Sequence, residues 1–194
     1  MPGPPLILAS SSPRRQSLLR DAGYTFEVDP ADVDESTYPA GLLPSGIALH
    51  LAEAKARAVA HRRPDAVVLA ADTVVAFGDL MLGKPRDAQH ARQMLQLLSG
   101  TTHLVITGVC ASHVEANFFR STRVISAVKM RGMTPGEIDR YVAGGDWQGK
   151  AGGYGIQDRD PFVTRQSGSR SNIVGLPMAA TRAILAEAGV APGR

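Results

Sequence analysis

Leu6-Ile7-Leu8-Ala9-Ser10-Ser11-Ser12-Pro13-Arg14-Arg15-Gln16-Ser17-Leu18-Leu19 decides how the chain begins to fold. Leu6 to Ala9 reads as a buried strand. Pro13 suits the first helical position, where its missing N–H would have no partner anyway. Ser12 then falls at the N-cap. A strand that delivers the chain to a helix start offers free N–H groups and the positive end of a helix dipole to an anion. Arg14 and Arg15 add positive charge to the first turn, where a cation works against the dipole. That cost points to a bound anion, of which phosphate is the obvious one; the plainer alternative is a surface helix that opens on two arginines. The GxxxxGK[ST] loop is absent, so a phosphate site here is of another design.

Working outward, Asp21 to Gly23 closes this helix, with Gly23 in the C′ role, and Tyr24 to Asp29 alternates as a short strand. Pro30 to Ser45 is a polar connection carrying Asp32, Asp34 and Glu35. Ile47 to His61 has helical spacing. Ala66 to Ala71 is a continuous apolar run, as in a strand covered on both faces. It is expected to end at Asp72-Thr73, with Val74 to Phe77 resuming the extended pattern. Gly78-Asp79 signals a tight turn returning Leu80 to Leu82 as a hairpin strand. Ala88 to Leu98 is a helix stopped by Gly100. Leu104 to Ser112 and Phe118 to Met130 read as long antiparallel neighbours. Thr134 to Glu137 is a capping box with Pro135 at the first helical position, and its helix is expected to reach about Val142. A glycine-rich loop, 144–155, and a short strand, Phe162 to Thr164, follow. Pro177 opens the last helix, which ends at Gly189, and 191–194 is expected to fray. The alternation of helices and strands around a run of β predicts an α/β fold with a mixed, elongated, twisted sheet flanked by helices, not a purely parallel one.

Composition narrows the function classes. The 194 residues can bury a sizeable core. The 21 Lys and Arg against 18 Asp and Glu leave a net charge of +3, too balanced to demand nucleic acid, and 5% aromatic content argues against base-stacking platforms. The single cysteine, Cys110, excludes an intramolecular disulfide and reads as a core residue. No stretch is long and apolar enough to span a membrane. MPGPPLIL has neither the basic start nor the apolar length of a secretory signal, so the expected compartment is the cytoplasm.

Four polar clusters sit where elements are expected to end. The first is Ser10 with Arg14 and Arg15. The second is Lys55, whose spacing alone favours a solvated ammonium on a snorkelling stem. The third is Asp72-Thr73. A carboxylate at the mouth of a buried strand is desolvated unless something charged meets it; a metal ion, a water to be activated, or Lys84 returning along the hairpin can do so. The fourth is Lys150 to Gln157, KAGGYGIQ. Its glycines allow close approach of backbone to a ligand, and Gln157 offers the acceptor and donors that read a nucleobase edge, against the plainer reading of a surface loop. Trp147 is expected to pack under this loop, with stacking on a base as the alternative. The five histidines lack ligand spacing, and His113-Val114-Glu115 has no following PCxxC.

Together these stretches resemble the Maf family of nucleoside triphosphate pyrophosphatases over nearly the whole chain. LASSSPRRQSLL is similar to the family's LASxSPRRxELL signature, and LAEAKARAV, AADTVV, LGKPRD, LLSGTTH, KAGGYGIQ and SNIVGLPM follow as further blocks in order. The resemblance implies one Maf-like domain over 1–194, with two lobes around a central cleft as a variant, and a fold similar to the inosine triphosphatase (Maf/Ham1-like) type. It implies cleavage of a nucleoside triphosphate to the monophosphate and pyrophosphate, a divalent metal (Mg²⁺ or Mn²⁺), and a homodimer with neither nucleic-acid nor membrane partners. The family's proton acceptor falls on Asp72, and its catalytic and phosphate-binding residues on Ser10, Arg14, Arg15, Lys55 and Lys84. Its specificity positions fall on Arg14, Thr73 and Gln157, and metal ligation on Asp72 and Asp34. SPRR, ADT and YGIQ resemble the branch acting on dTTP and UTP; the 7-methyl-GTP branch carries an aromatic in SPxR, DQ for DT, and Glu at the place of Gln157. Departures are Ser17 for a glutamate, Asp34 for a glutamate of an acidic pair, Asp158 for the glycine after YGIQ, and Arg170 for an aromatic in GSYSN. The rival class is a nucleotide-binding regulator of septum formation without significant catalysis; the presence of Asp72 together with both lysines favours the enzyme, since binding alone would not require the carboxylate.

Overall fold

A computed structural model describes residues 3–159 and 162–193. One seven-stranded mixed sheet organises them. Its main path runs β2 (Glu27–Val28), β1 (Leu6–Leu8), β3 (Val67–Phe77), β5 (Thr102–His113), β6 (Phe118–Met130) and β7 (Val163–Arg165), with β4 (Leu80–Leu82) paired to β3 off that path. β1 is parallel to both β2 and β3, and the remaining pairs are antiparallel. This is the mixed α/β sheet that the alternating pattern predicts. Among the described residues no helix is long and apolar enough to cross a membrane.

The helices are α1 (Pro13–Asp21), α2 (Pro44–Ala60), α3 (Ala88–Leu98), α4 (Pro135–Gly144), α5 (Arg170–Val174) and α6 (Met178–Glu187). α1 opens on Pro13 as expected, but Ser12 makes no side-chain cap. Its N–H instead donates to Ser10 Oγ at 3.3 Å. The capping box of α4 is complete: Thr134 Oγ1 accepts from Glu137 N, and the Glu137 carboxylate accepts from Thr134 N. Short α5, capped by Ser169, lies where no helix is expected from the sequence. Within the tail expected to fray, Gly193 N donates to Gly23 O at 2.8 Å. Arg194, also in that expectation, lies outside the described residues.

Period-2 alternation along β3 assigns its two faces. Val68 and Ala70 pack with Ala52, Ala56 and Val59 of α2, whereas Val67, Leu69 and Ala71 pack with Leu19 of α1 and Leu185 of α6. α2 lies directly on the sheet. A Cβ on Gly108 of β5 would stand 2.2 Å from the Ala48 carbonyl oxygen, so only glycine admits this approach. Gly108 is the partner of Asp72 in the β3–β5 ladder. Lys55 follows Ala48 by two helical turns on the same face, and the contact therefore sets it over Asp72.

Candidate active site

β3 does not stop at Asp72-Thr73; it is continuous from Val67 to Phe77. What ends there is its cover on one edge. β1 pairs with β3 only as far as Leu69, and β4 only from Val75 onward. In between, β1 has run on through Ser10–Ser12 into α1. Asp72 projects to the α2 face and Thr73 to the α5 face, yet both reach one cavity wrapped around this uncovered edge. The cavity holds about 420 Å³, within the ~300–1,000 Å³ typical of small-ligand sites. Ser10, Arg14, Arg15, Lys55, Asp72, Thr73, Lys84 and Gln157 all line it.

Lys55 is not the solvated lysine its spacing suggests. Its side chain is 7% exposed, and its ammonium lies 2.5 Å from Asp72 Oδ1 and 2.7 Å from Glu35 Oε1. Asp72, with its side chain 8% exposed, is thus met by Lys55, not directly by Lys84. Lys84 joins through Glu35, donating to Oε2 at 2.9 Å and Oε1 at 3.2 Å. The hairpin, with Gly152 N donating to Gly83 O, holds it there. Burial works to raise the Glu35 carboxyl, but the two lysines outweigh it and hold the group at about 2.

Asp34, the metal ligand that the resemblance implies beside Asp72, lies outside the cavity lining. Its carboxylate turns onto its own loop, accepting from Ser36 N, Ser36 Oγ and Thr37 Oγ1, and these bonds hold it at about 2. The acidic side chain brought inside is its neighbour Glu35. Only the direction of the loop distinguishes the two, and no local pattern encodes that. Among the described residues no group of three or more His, Cys, Asp or Glu side chains is placed to hold a metal. Among the described residues, Glu35 and Asp72 are the carboxylates that line the cavity.

The arginines divide their work. Arg15 is bound into the frame: Nε donates to Gly175 O at 2.8 Å, one terminal nitrogen to Ser10 Oγ at 3.1 Å, and the other to Thr73 Oγ1 at 3.2 Å. Ser10 Oγ accepts both from Arg15 and from Ser12 N, leaving its own proton to donate into the cavity. Thr107 Oγ1 donates to Asn172 O, so in the 2.9 Å Thr73–Thr107 contact Thr73 is the donor. Thr73 thereby couples Arg15 to the core. Asn172 of α5 is fully buried and donates to Val105 O and Ser126 Oγ. Arg14 is the freer cation, donating once to Gly149 O at 2.8 Å. Burial lowers its pKa, with Asp158 and Tyr141 opposing, and an arginine stays charged under such a shift.

The glycine-rich loop is built around a tight turn. A short 3₁₀ turn, Ala151–Gly153, carries Gly152 and Gly153 at φ of 70° and 76°. Trp147 packs beneath it with the indole N–H donating to Val142 O at 3.0 Å; it belongs to the core and does not line the cavity, which sets aside base stacking. Gln157 stands exposed at the cavity rim. Arg170 is exposed at the start of α5 and is not among the lining residues.

A family model described as "Maf-like protein" matches residues 5–188. The chain is similar to the dTTP/UTP pyrophosphatase of Rhodospirillum rubrum, 47% identical over 98% of this chain and 90% of the relative. It is also similar to the dTTP/UTP pyrophosphatases of Anaeromyxobacter dehalogenans, 48% identical over 96% of this chain and 95% of the relative, and of Sphingopyxis alaskensis, 45% identical over 98% of this chain and all of the relative.

Proposed function

From the premise that this chain belongs to the Maf-like family, we propose that it is a nucleoside triphosphate pyrophosphatase acting on dTTP and UTP, a nucleotide house-cleaning hydrolase. One water is consumed, the α–β phosphoanhydride bond breaks, and a nucleoside monophosphate and pyrophosphate leave. The observation that carries this reading is the buried Lys55 ammonium held between Asp72 and Glu35 in the cavity, with Lys84 on the far side of Glu35.

A triphosphate must be neutralised before water can approach its phosphorus. Lys55, Lys84, Arg14 and the Ser10 hydroxyl supply that field, preorganised where charge builds up. Lys55 and Lys84 transfer their donors from Glu35 to phosphate oxygens as the nucleotide enters. Asp72 accepts the proton of the attacking water; its bond to Lys55 uses Oδ1 and leaves Oδ2 for the proton. Arg15 and Thr73 keep Ser10 and the edge of β3 in register and are not spent on the phosphates.

Two carboxylates facing a phosphate site fit a hard divalent cation, since Mg²⁺ is commonly held by one or two carboxylates with the substrate's own phosphates. Glu35, freed as its two lysines turn to the phosphates, and Asp72 would hold Mg²⁺ or Mn²⁺, in place of the Asp34–Asp72 set that the resemblance implies. The cation would supply further neutralisation of the leaving pyrophosphate.

Gln157 reads the base. Its amide can donate to the O4 carbonyl and accept from N3–H of thymine or uracil. Purified protein with Mg²⁺ or Mn²⁺ is expected to release pyrophosphate from dTTP and UTP. Orthophosphate as first product, with the diphosphate left behind, refutes the reading. The same resemblance supports a homodimer in the cytoplasm; a monomer mass by light scattering counts against the assembly.

A further inference from the structure

Asp158 adjoins the base-reading residue, and its carboxylate, with the side chain only 8% exposed, accepts from three donors. It accepts from the Lys150 ammonium, from Tyr141 Oη at 2.7 Å and from Gly155 N at 2.9 Å. The Lys150 side chain is itself 11% exposed. A carboxylate taken so far out of water is costly unless paired and hydrogen-bonded, so these four groups hold one another in place. They come from two parts of the chain, α4 and the loop that follows it. Tyr141 belongs to α4 and is anchored edge-on against Phe162, with ring centroids 4.8 Å apart. Lys150 begins the glycine-rich turn, and Gly155 ends it.

The carboxylate also sets its neighbour. A Cβ on Gly155 would meet Asp158 Oδ1 at 2.6 Å and Gln157 Nε2 at 2.7 Å. The two side chains therefore lie side by side over that glycine. The negative charge favours the nitrogen end of the Gln157 amide on its own side.

We propose that Asp158 is a positioning residue for base recognition: with Lys150 and Tyr141 it staples the 149–157 loop so that Gln157 meets the pyrimidine edge in one orientation. This rests on the pyrimidine triphosphate reading above. Asp158 touches no reacting atom, so its effect falls on binding of the base and on discrimination between bases.

The test compares wild type with Asp158→Asn, which removes the charge at nearly constant shape, and Asp158→Gly, which removes the staple. Pyrophosphate release is measured on dTTP, UTP and GTP, and acrylamide quenching of Trp147, the single tryptophan, is measured without nucleotide. Asp158→Asn is expected to raise KM for dTTP and UTP about tenfold, the scale of one lost matched hydrogen bond, with kcat held within about twofold. The pyrimidine-to-GTP ratio of kcat/KM falls accordingly, and Trp147 becomes more quenchable. Asp158→Gly should do the same more strongly. Unchanged KM and quenching in folded variants, or equal losses on all three triphosphates, overturn the proposal. A wild-type protein that releases no pyrophosphate refutes the functional reading instead; Trp147 quenching and UMP binding by the same variants then decide whether Asp158 holds the loop.

Discussion

Asp72→Asn separates chemistry from architecture at this site. The substitution is nearly isosteric and keeps an oxygen to accept from Lys55, but it removes the charge and the capacity to take a proton. Lys55 is not stranded, because Glu35 Oε1 remains 2.7 Å from its ammonium. The cost to the fold is therefore that of one charge-assisted hydrogen bond, about 1.5–3 kcal/mol, and not the ~3–5 kcal/mol of leaving a buried ion alone. For a chain of this length each kcal/mol moves Tm by roughly 2–4 °C, so a fall of about 3–12 °C leaves the protein folded at assay temperature. Turnover is expected to drop about a hundredfold or more, the scale of general-base work. Loss of the anion beneath the triphosphate lowers KM for dTTP and loss of a carboxylate for the cation raises it, so turnover and not KM is the diagnostic quantity. The assay is single-turnover pyrophosphate release beside a melting curve on the same sample. Near-wild-type turnover in a folded variant refutes the role given to Asp72. Lys55→Met would be a poorer probe, because it leaves the carboxylates of Glu35 and Asp72 facing one another without a cation.

Gly108→Ala should destabilise the protein by at least ~1–3 kcal/mol, as overpacking does, because the new methyl would sit 2.2 Å from the Ala48 carbonyl. Activity should fall further than Tm implies as α2 carries Lys55 off Asp72, and an unperturbed, fully active variant would show that the contact does not set this pair. Gln157→Glu is expected to cut kcat/KM for dTTP and UTP about tenfold or more, with 7-methyl-GTP falling far less or rising; equal loss on every triphosphate would make Gln157 a loop support. Burial holds His103 neutral down to about 4 against an ordinary 6.5, so the unfolded chain binds the extra proton between those values. The stabilisation is whole above pH 6.5 and is lost as pH falls toward 4, by about 2 kcal/mol at pH 5. The pH dependence of Tm should flatten by that amount in His103→Gln, and identical slopes would refute it.

Elements whose causes are local are legible from residue spacing. The Pro13 start of α1, the Thr134–Glu137 box, the Gly78-Asp79 hairpin turn and the helical stripe of α3 all depend on groups within a few residues of one another, so spacing suffices to read them. The polar residues of the cavity were legible too, as charges placed beside buried runs. Where the chain misled, a distant partner decided. β3 runs straight through Asp72-Thr73 because β5 pairs with it without a break from Val68 to Ala76 while β1 and β4 cover only its ends. That bare edge lets residues from opposite faces share one cavity. Lys55 is buried because Gly108, on another strand, lets α2 settle onto the sheet. Glu35 and not Asp34 enters the cavity because Lys55 and Lys84 await it there, and Asp158 is buried because Lys150, Tyr141 and Gly155 converge on it. Periodicity and caps act along a few residues of backbone; burial and charge pairing act across whatever the fold brings within a few ångströms, and only the assembled sheet decides that.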